Sequence, residues 1–555
     1  MIYSDFIDNY SDTTKFEKWK TKVDEYRKKL NNSTVKEYEI DSSMIPQDID
    51  ASFNATVIPQ KVMNKEDFWI TSLPAFELAQ KIANSEISAT ETFRAFAKRA
   101  TIANQFTNYA MEFFIEEGLR RAQELDSYFK KTGKVVGPLH GLPISLKEHY
   151  SYKNRITHAS YVSLLDNITP QHAVTVQNLH EAGAIFYVRT TGPQSLMHLD
   201  SCNNIIGRGR NPNNLALGPG GSSSGEGIVV AMGGSSMGVG TDIGGSIRAP
   251  AAFCGCWALR PTQKRISTKG CIAAISGFEG VVCVMGPIAR YAQDIDFWMK
   301  SVIAQKPWTK DCDIIPLPWR EVERPIPTKL KIGIMYEDGI VKPHPPIERG
   351  LRYMELVLQK NGIVIDILQP HRALESLEVV NTFYSSDSNK GQLSLLGKSG
   401  EPLLPLTKWA MGFGKGTDYV SAEEYRNLTA VRDSIRNDYM VIMDRENIDF
   451  ILSPVYVGVA PKPSKLHYWG YTALWNLIDM PNLVFPTGLA QDPKIDKVNK
   501  EYTTRSEIEE YEYRLYDNSD DFIDAPICLQ LTGRRYHDEE LVKFGEVLEK
   551  MLQQP

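Results

Sequence analysis

The 555-residue sequence predicts an α/β protein built on a mixed or mostly parallel sheet. Three observations carry that reading. Strand, helix and strand alternate over residues 330–335, 347–360 and 363–367, and a helix–strand pair covers 174–182 and 184–188. Three further apolar runs near the end, at 450–454, 483–486 and 527–531, have the length and composition of buried strands. Between these blocks lies a Gly/Ser stretch, residues 207–262, in which apolar runs such as Ile228-Val229-Val230 are embedded, so it is packed chain and not a linker.

Taken in order, residues 1–60 read as an N-terminal helical extension and 61–555 as one large domain. A charged amphipathic helix is expected over 13–30, stopped by the turn chemistry of Asn31-Asn32-Ser33. Ser88 and Glu91 form a capping box that opens a helix whose apolar face is Phe93, Phe96, Ala97 and Ala100. A second helix presents Ile115, Leu119, Ala122, Leu125 and Phe129 at the same spacing. A Pro/Gly turn then leads into a short strand at 144–146 that ends on Lys147, a position where a lone lysine ordinarily reaches out to solvent. Residues 492–524, charged and Tyr-rich, read as a solvated excursion.

Composition narrows the function. A net charge of −6 with no basic run disfavours a nucleic-acid partner. No apolar run approaches the roughly 18 residues of a membrane span. Seven scattered cysteines and a non-secretory start suggest a reduced, cytoplasmic protein. Cys254-x-Cys256 lacks a second ligand pair, so no metal is expected there.

The Gly/Ser stretch carries the chemistry. Residues 218–246 hold eleven glycines and six serines but match neither GxxxxGK[ST] nor GxGxxG, which excludes the phosphate loops that such composition first suggests. What remains is a pair of serine loops, Gly221-Ser222-Ser223-Ser224 and Asp242-Ile243-Gly244-Gly245-Ser246. The Gly244-Gly245 pair frees successive amides to point one way, the arrangement a tetrahedral oxyanion needs, which points to acyl transfer.

The segments GPLHGLPISLKE around Lys147, PGGSSSGE around Ser222 and GTDIGGSIRAPAAFCG around Ser246 resemble the amidase signature family. The likeness continues through FILSP, WNLIDMPNLVFPTG and PICLQLTG, and TTGPQSLMH makes it most similar to fungal acetamidase-type members. The resemblance implies a single α/β/α sandwich around a mixed central sheet, no cofactor, and hydrolysis of linear amides to carboxylate and ammonia. It further implies a Ser–cisSer–Lys triad of Ser246, Ser222 and Lys147, and an oxyanion hole from the amides of Ile243, Gly244, Gly245 and Ser246. Leu196, Met197 and Ser222 would contact the substrate, a small soluble amide no larger than a phenylacetyl or hexanoyl derivative. A homodimer is compatible with it. Glu148, Ser224 and Arg260 depart from the family pattern, and Glu148 is expected to alter the surroundings of Lys147.

Alternatives follow from the same residues. Within the family they are a fatty-acid amide hydrolase and an amidotransferase A subunit acting on glutamyl-tRNA. Outside it, Gly221-Ser222-Ser223-Ser224-Gly225 matches GxSxG, with Ser223 as the nucleophile of an α/β-hydrolase, but 214–219 is a poor strand to precede it. A scaffold without catalysis would be expected to have lost Lys147, Ser222 or Ser246.

Overall fold

Strand β2 (Pro143–Lys147) pairs in parallel with β3 (Ile185–Thr190), whose other edge takes β1 (Ala110–Phe113) antiparallel. This computed structural model describes residues 11–48 and 51–553. An eight-stranded sheet follows in the order β4-β6-β5-β10-β11-β9-β7-β8. Its strands are β4 (Gly238–Asp242), β5 (Trp257–Arg260), β6 (Val284–Ala289), β7 (Lys331–Ile334), β8 (Val364–Ile367), β9 (Phe450–Pro454), β10 (Asn482–Ala490) and β11 (Pro526–Thr532). A parallel bridge from Ile144 to Met237 joins the two sheets, so β2 lies beside the start of β4. The sheet is mixed: β7 runs parallel to β8 and β9, while β4, β6, β5, β10, β11 and β9 pair antiparallel in turn.

Helices cover both faces, as side-chain alternation along β10 requires. Asn482 turns to Arg248 on the helix Arg248–Cys254, while its neighbour Leu483 packs on Gly545 of the helix Asp538–Gln553. The result is an α/β/α arrangement over one extended hydrophobic core.

The alternation at 330–367 is observed as β7, the helix Pro345–Lys360 and β8. The Ser88–Glu91 capping box opens the helix Ala89–Thr107, and the helix Ile115–Thr132 follows. The expected N-terminal helix spans Thr13–Asn31 and lies against the body. There Val23 packs with Met111, Val162 and Ile205, and Arg27 Nε donates to the Ile205 carbonyl at 2.5 Å. Residues 492–524 are mostly exposed, as expected of a solvated excursion, but the segment is anchored to the body. It contains the helix Glu507–Arg514, whose Glu512 and Tyr513 are buried, and Tyr516 stacks on His344.

Candidate active site

Lys147 closes β2 and is 1 % exposed, held inside by strands on both sides. Its Nζ lies 2.8 Å from Ser222 Oγ and 3.0 Å from Thr241 Oγ1. Ser222 follows a cis peptide from Gly221, just before the helix Ser224–Ala231, and Thr241 sits at the end of β4. Burial lowers the Lys147 amine to about 8, and no carboxylate pairs with it to undo that shift. Behind it Glu226 accepts hydrogen bonds from Ser145 Oγ, Thr190 Oγ1 and the Val239 N–H at 2.8, 2.7 and 2.6 Å, tying β2, β3 and β4 together. Burial raises this carboxyl to about 7 against those three donors.

The loop from Asp242 to Ser246 is fixed from behind. Asp242 accepts from the amides of Gly245 and Ile247 at 2.8 and 3.0 Å, and from Arg248 Nε and Nη2 at 3.1 Å each. Asn476 Nδ2 donates to it at 2.8 Å. Burial opposes ionisation there, but the Arg248 guanidinium and these donors hold the carboxyl well below the usual range. Arg248 in turn reaches Asn476, Asn482 and Gln530. The Tyr384 hydroxyl donates to the Ile243 carbonyl, and Thr472 Oγ1 donates to the Gly244 carbonyl at 2.7 Å.

Because C=O and N–H oppose each other across a trans peptide, these two contacts orient the next amides. The Gly244 N–H points away from Tyr384, and the Gly245 N–H points away from Thr472, onto Asp242. Of the four expected donors, Gly245 thus has its N–H occupied by Asp242 at 2.8 Å. At φ 126°, and with Thr472 Oγ1 2.5 Å from where a Cβ would stand, position 245 accepts only glycine.

Ser222, Thr241, Ile243, Ser246, Leu196 and Met197 share the wall of a cavity of about 590 Å³. Tyr161, Ile272, Phe278 and Tyr384 add apolar and aromatic surface, and Lys264, Lys269, Asp311 and Asp313 also line it. Lys147 is not part of that wall; it reaches the cavity through Ser222. The arrangement can therefore move a proton between a buried amine and a serine hydroxyl beside a set of oriented amides.

The amidase family model matches residues 91–542. The chain belongs to the amidase family. It is 40 % identical to a putative amidase of Schizosaccharomyces pombe, over 91 % of this chain and 94 % of that protein. It is 36 % identical to an acetamidase of Aspergillus oryzae, covering 89 % and 93 %. Among solved structures, one titled fatty acid amide hydrolase matches at 46 % identity with a TM-score of 0.97, over 100 % of this chain and 99 % of that one. Members of this family hydrolyse amides, and this amidase is an enzyme of that kind.

The same geometry removes the rival serine. In this amidase Ser223 is fully buried, with its Oγ donating to the Thr241 carbonyl and accepting from the Thr241 N–H, both at 3.2 Å. His344, His371 and His467 are engaged elsewhere, with the Glu512 carbonyl, Asp438, and the Trp409 and Tyr511 rings. Glu148 does not touch Lys147. Its carboxylate accepts from the amides of His158 and Ala159 at 2.8 Å. Among the described residues no group of three or more His, Cys, Asp or Glu gathers as a metal site, and no helix is long and apolar enough to cross a membrane.

Sequence reasoning missed Thr241, His149, Tyr384, Thr472 and Glu226. His149 sits in the turn that follows β2, where strand alternation gives no signal. Thr241 lies inside the quoted GTDIGGS motif. Tyr384 and Thr472 carried no local signal.

Proposed function

We propose that this amidase acts on linear amides with medium to long aliphatic acyl groups, through an acyl-enzyme on Ser246. Lys147 is the base and Ser222 the relay. Ser246 Oγ attacks the carbonyl carbon as its proton passes to Ser222 Oγ, whose own proton moves to neutral Lys147 Nζ. The negative oxygen faces the amides of Ile243, Gly244 and Ser246. When the C–N bond breaks, the proton returns through Ser222 to the departing nitrogen, releasing ammonia or an amine. Water then attacks the ester by the same path and releases the carboxylate.

The observation that carries this reading is the 2.8 Å contact between Lys147 Nζ and Ser222 Oγ, opening onto a cavity of about 590 Å³ that Ser246 also lines. That volume bears on the substrate. Acetamide occupies on the order of 90 Å³, about three waters at roughly 30 Å³ each. The cavity leaves room for an acyl chain well beyond the hexanoyl limit that the sequence suggests. The strong likeness to a protein titled fatty acid amide hydrolase favours the same side, while the acetamidase relatives favour the other.

A series of primary amides from acetamide through hexanamide and dodecanamide to octadecenamide separates them. Each methylene buried adds about 0.8 kcal/mol, so kcat/KM should rise about fourfold per carbon and level off beyond about ten carbons. A maximum at two or three carbons would overturn the long-chain reading and leave the triad standing.

A further inference from the structure

His149 lies in the turn that follows Lys147 at the end of β2, and its ring makes two contacts with different partners. Nδ1 is 3.1 Å from the Ile272 carbonyl, and Nε2 is 3.1 Å from Thr241 Oγ1. The backbone repeats the first link, since the Ile272 N–H donates to the His149 carbonyl at 2.9 Å. A carbonyl can only accept, so Nδ1 carries the ring hydrogen. Burial, reinforced by Lys147, keeps the ring neutral by lowering it to about 3. A bare Nε2 can only accept, so the Thr241 hydroxyl must give it its one proton. Thr241 Oγ1 then meets Lys147 Nζ, 3.0 Å away, as an acceptor.

The consequence falls on the lysine. A neutral amine has two hydrogens and one lone pair, and only the lone pair can take a proton. Were the Thr241 hydroxyl free to turn, it would donate to that lone pair and cap it. We propose that His149 is a positioning residue: by holding the Thr241 proton it keeps the Lys147 lone pair available to Ser222. This rests on Lys147 being the base. The other ionisable groups around the amine are Cys271, Cys283, Glu226 and Asp242, and none of them hydrogen-bonds Thr241 Oγ1.

The test uses the full chain and one amide substrate, with kcat read across pH. His149→Phe should lower the plateau kcat about tenfold or more, with KM little changed, because the defect is in proton transfer and not in binding. His149→Gln, whose side-chain oxygen can accept the Thr241 proton, should recover most of that loss. Adding Thr241→Val to His149→Phe should also recover it, because the competing hydroxyl is gone. A double variant no faster than His149→Phe, or a His149→Phe within about twofold of the parent, would overturn the inference.

Should His149→Phe fail to fold, Thr241→Val alone still decides. It removes an acceptor for the charged amine, so the rise in activity should move down by about one pH unit, whatever the height of the plateau; an unmoved profile would refute the arrangement. Ser246→Ala serves as the control. If it retains parental activity, the acyl-enzyme reading itself fails; if it is inactive while the His149 variants are unaffected, only the positioning role does.

Discussion

Lys147 and Arg248 are both buried cations, 1 % and 0 % exposed, one at the end of β2 and the other two residues past Ser246. Their surroundings differ in one respect. Arg248 lies against the Asp242 carboxylate and three side-chain carbonyls, so every face of its guanidinium is matched. Lys147 is given two hydroxyls and no carboxylate. A matched buried cation remains charged and serves as a strut, whereas one matched by hydroxyls can lose its proton. What separates the structural cation from the proposed base here is where the carboxylate was placed, and depth of burial contributes nothing to the distinction.

The largest expected effect breaks the base side of this comparison. Ser246→Ala and Lys147→Ala should each reduce kcat/KM on the order of 10³–10⁴-fold or more while leaving the circular dichroism spectrum unchanged. A serine-directed phosphonofluoridate should label Ser246 and spare the buried Ser223, as read by peptide mass spectrometry. Label on Ser223 with Ser246 untouched would remove Ser246 as nucleophile.

Stability should separate the two cations in opposite directions. Arg248→Met leaves the Asp242 charge buried and unmatched, a loss of about 3–5 kcal/mol that should appear as a large fall in Tm. Lys147→Met removes an amine whose burial is only partly compensated, so at neutral pH the variant should melt at or above the parental temperature. The sign follows from linkage. Folding moves this group from 10.5 down to about 8, so the folded chain binds fewer protons between those values and parental stability rises with pH across that window. That part of the slope should vanish in Lys147→Met. Equal destabilisation by both substitutions would erase the contrast.

Activity should follow the same ionisation. The proposed base would work when neutral, so kcat/KM should climb about tenfold per pH unit below about 8 and flatten above it. His149, lowered to about 3, is already neutral throughout and contributes no limb in this range. A profile that falls on the alkaline side of 8 would mean that the protonated amine is the active form.

How far the site could be read in advance depends on distance along the chain. The serine loops were legible because backbone amides and two serines come from one short stretch with diagnostic glycines. The strands β7, β8, β9 and β11 were legible as apolar runs of the right length. β4 was not, because two of the five residues in its sequence GVGTD are glycine. A Cβ at Gly238 or Gly240 would stand 2.5 Å from Glu226 Oε2 or 2.8 Å from Ser223 Oγ, so the feature that hides the strand is what lets the serine helix lie on it. The supports of the oxyanion loop come from 141 and 228 positions away, and no local pattern encodes such contacts. Within 492–524 the buried anchors were hidden for the converse reason: Glu512 counts as a surface charge in composition, yet it is buried where Tyr456 and the His467 N–H satisfy it.

The smallest expected effect probes the strut side without dismantling it. The Tyr384 hydroxyl hydrogen-bonds neither the triad side chains nor Arg248; it donates to the Ile243 carbonyl and thereby turns the Gly244 N–H in the opposite direction. Tyr384→Phe keeps the ring, which packs edge-on against Trp469, and removes only that donor. The peptide between Ile243 and Gly244 is then held on one side less, so the Gly244 amide should spend less time aligned with the developing oxyanion. Loss of a whole oxyanion donor costs about 10²–10³-fold in kcat, and a loosened one should cost about tenfold. KM should change little, because the amide matters more to the tetrahedral species than to the bound substrate. Tyr384 also lines the cavity, so a rise in KM at constant kcat would assign it to substrate contact instead, and the rigidity of the loop would then rest on Asp242, Arg248 and Thr472 alone.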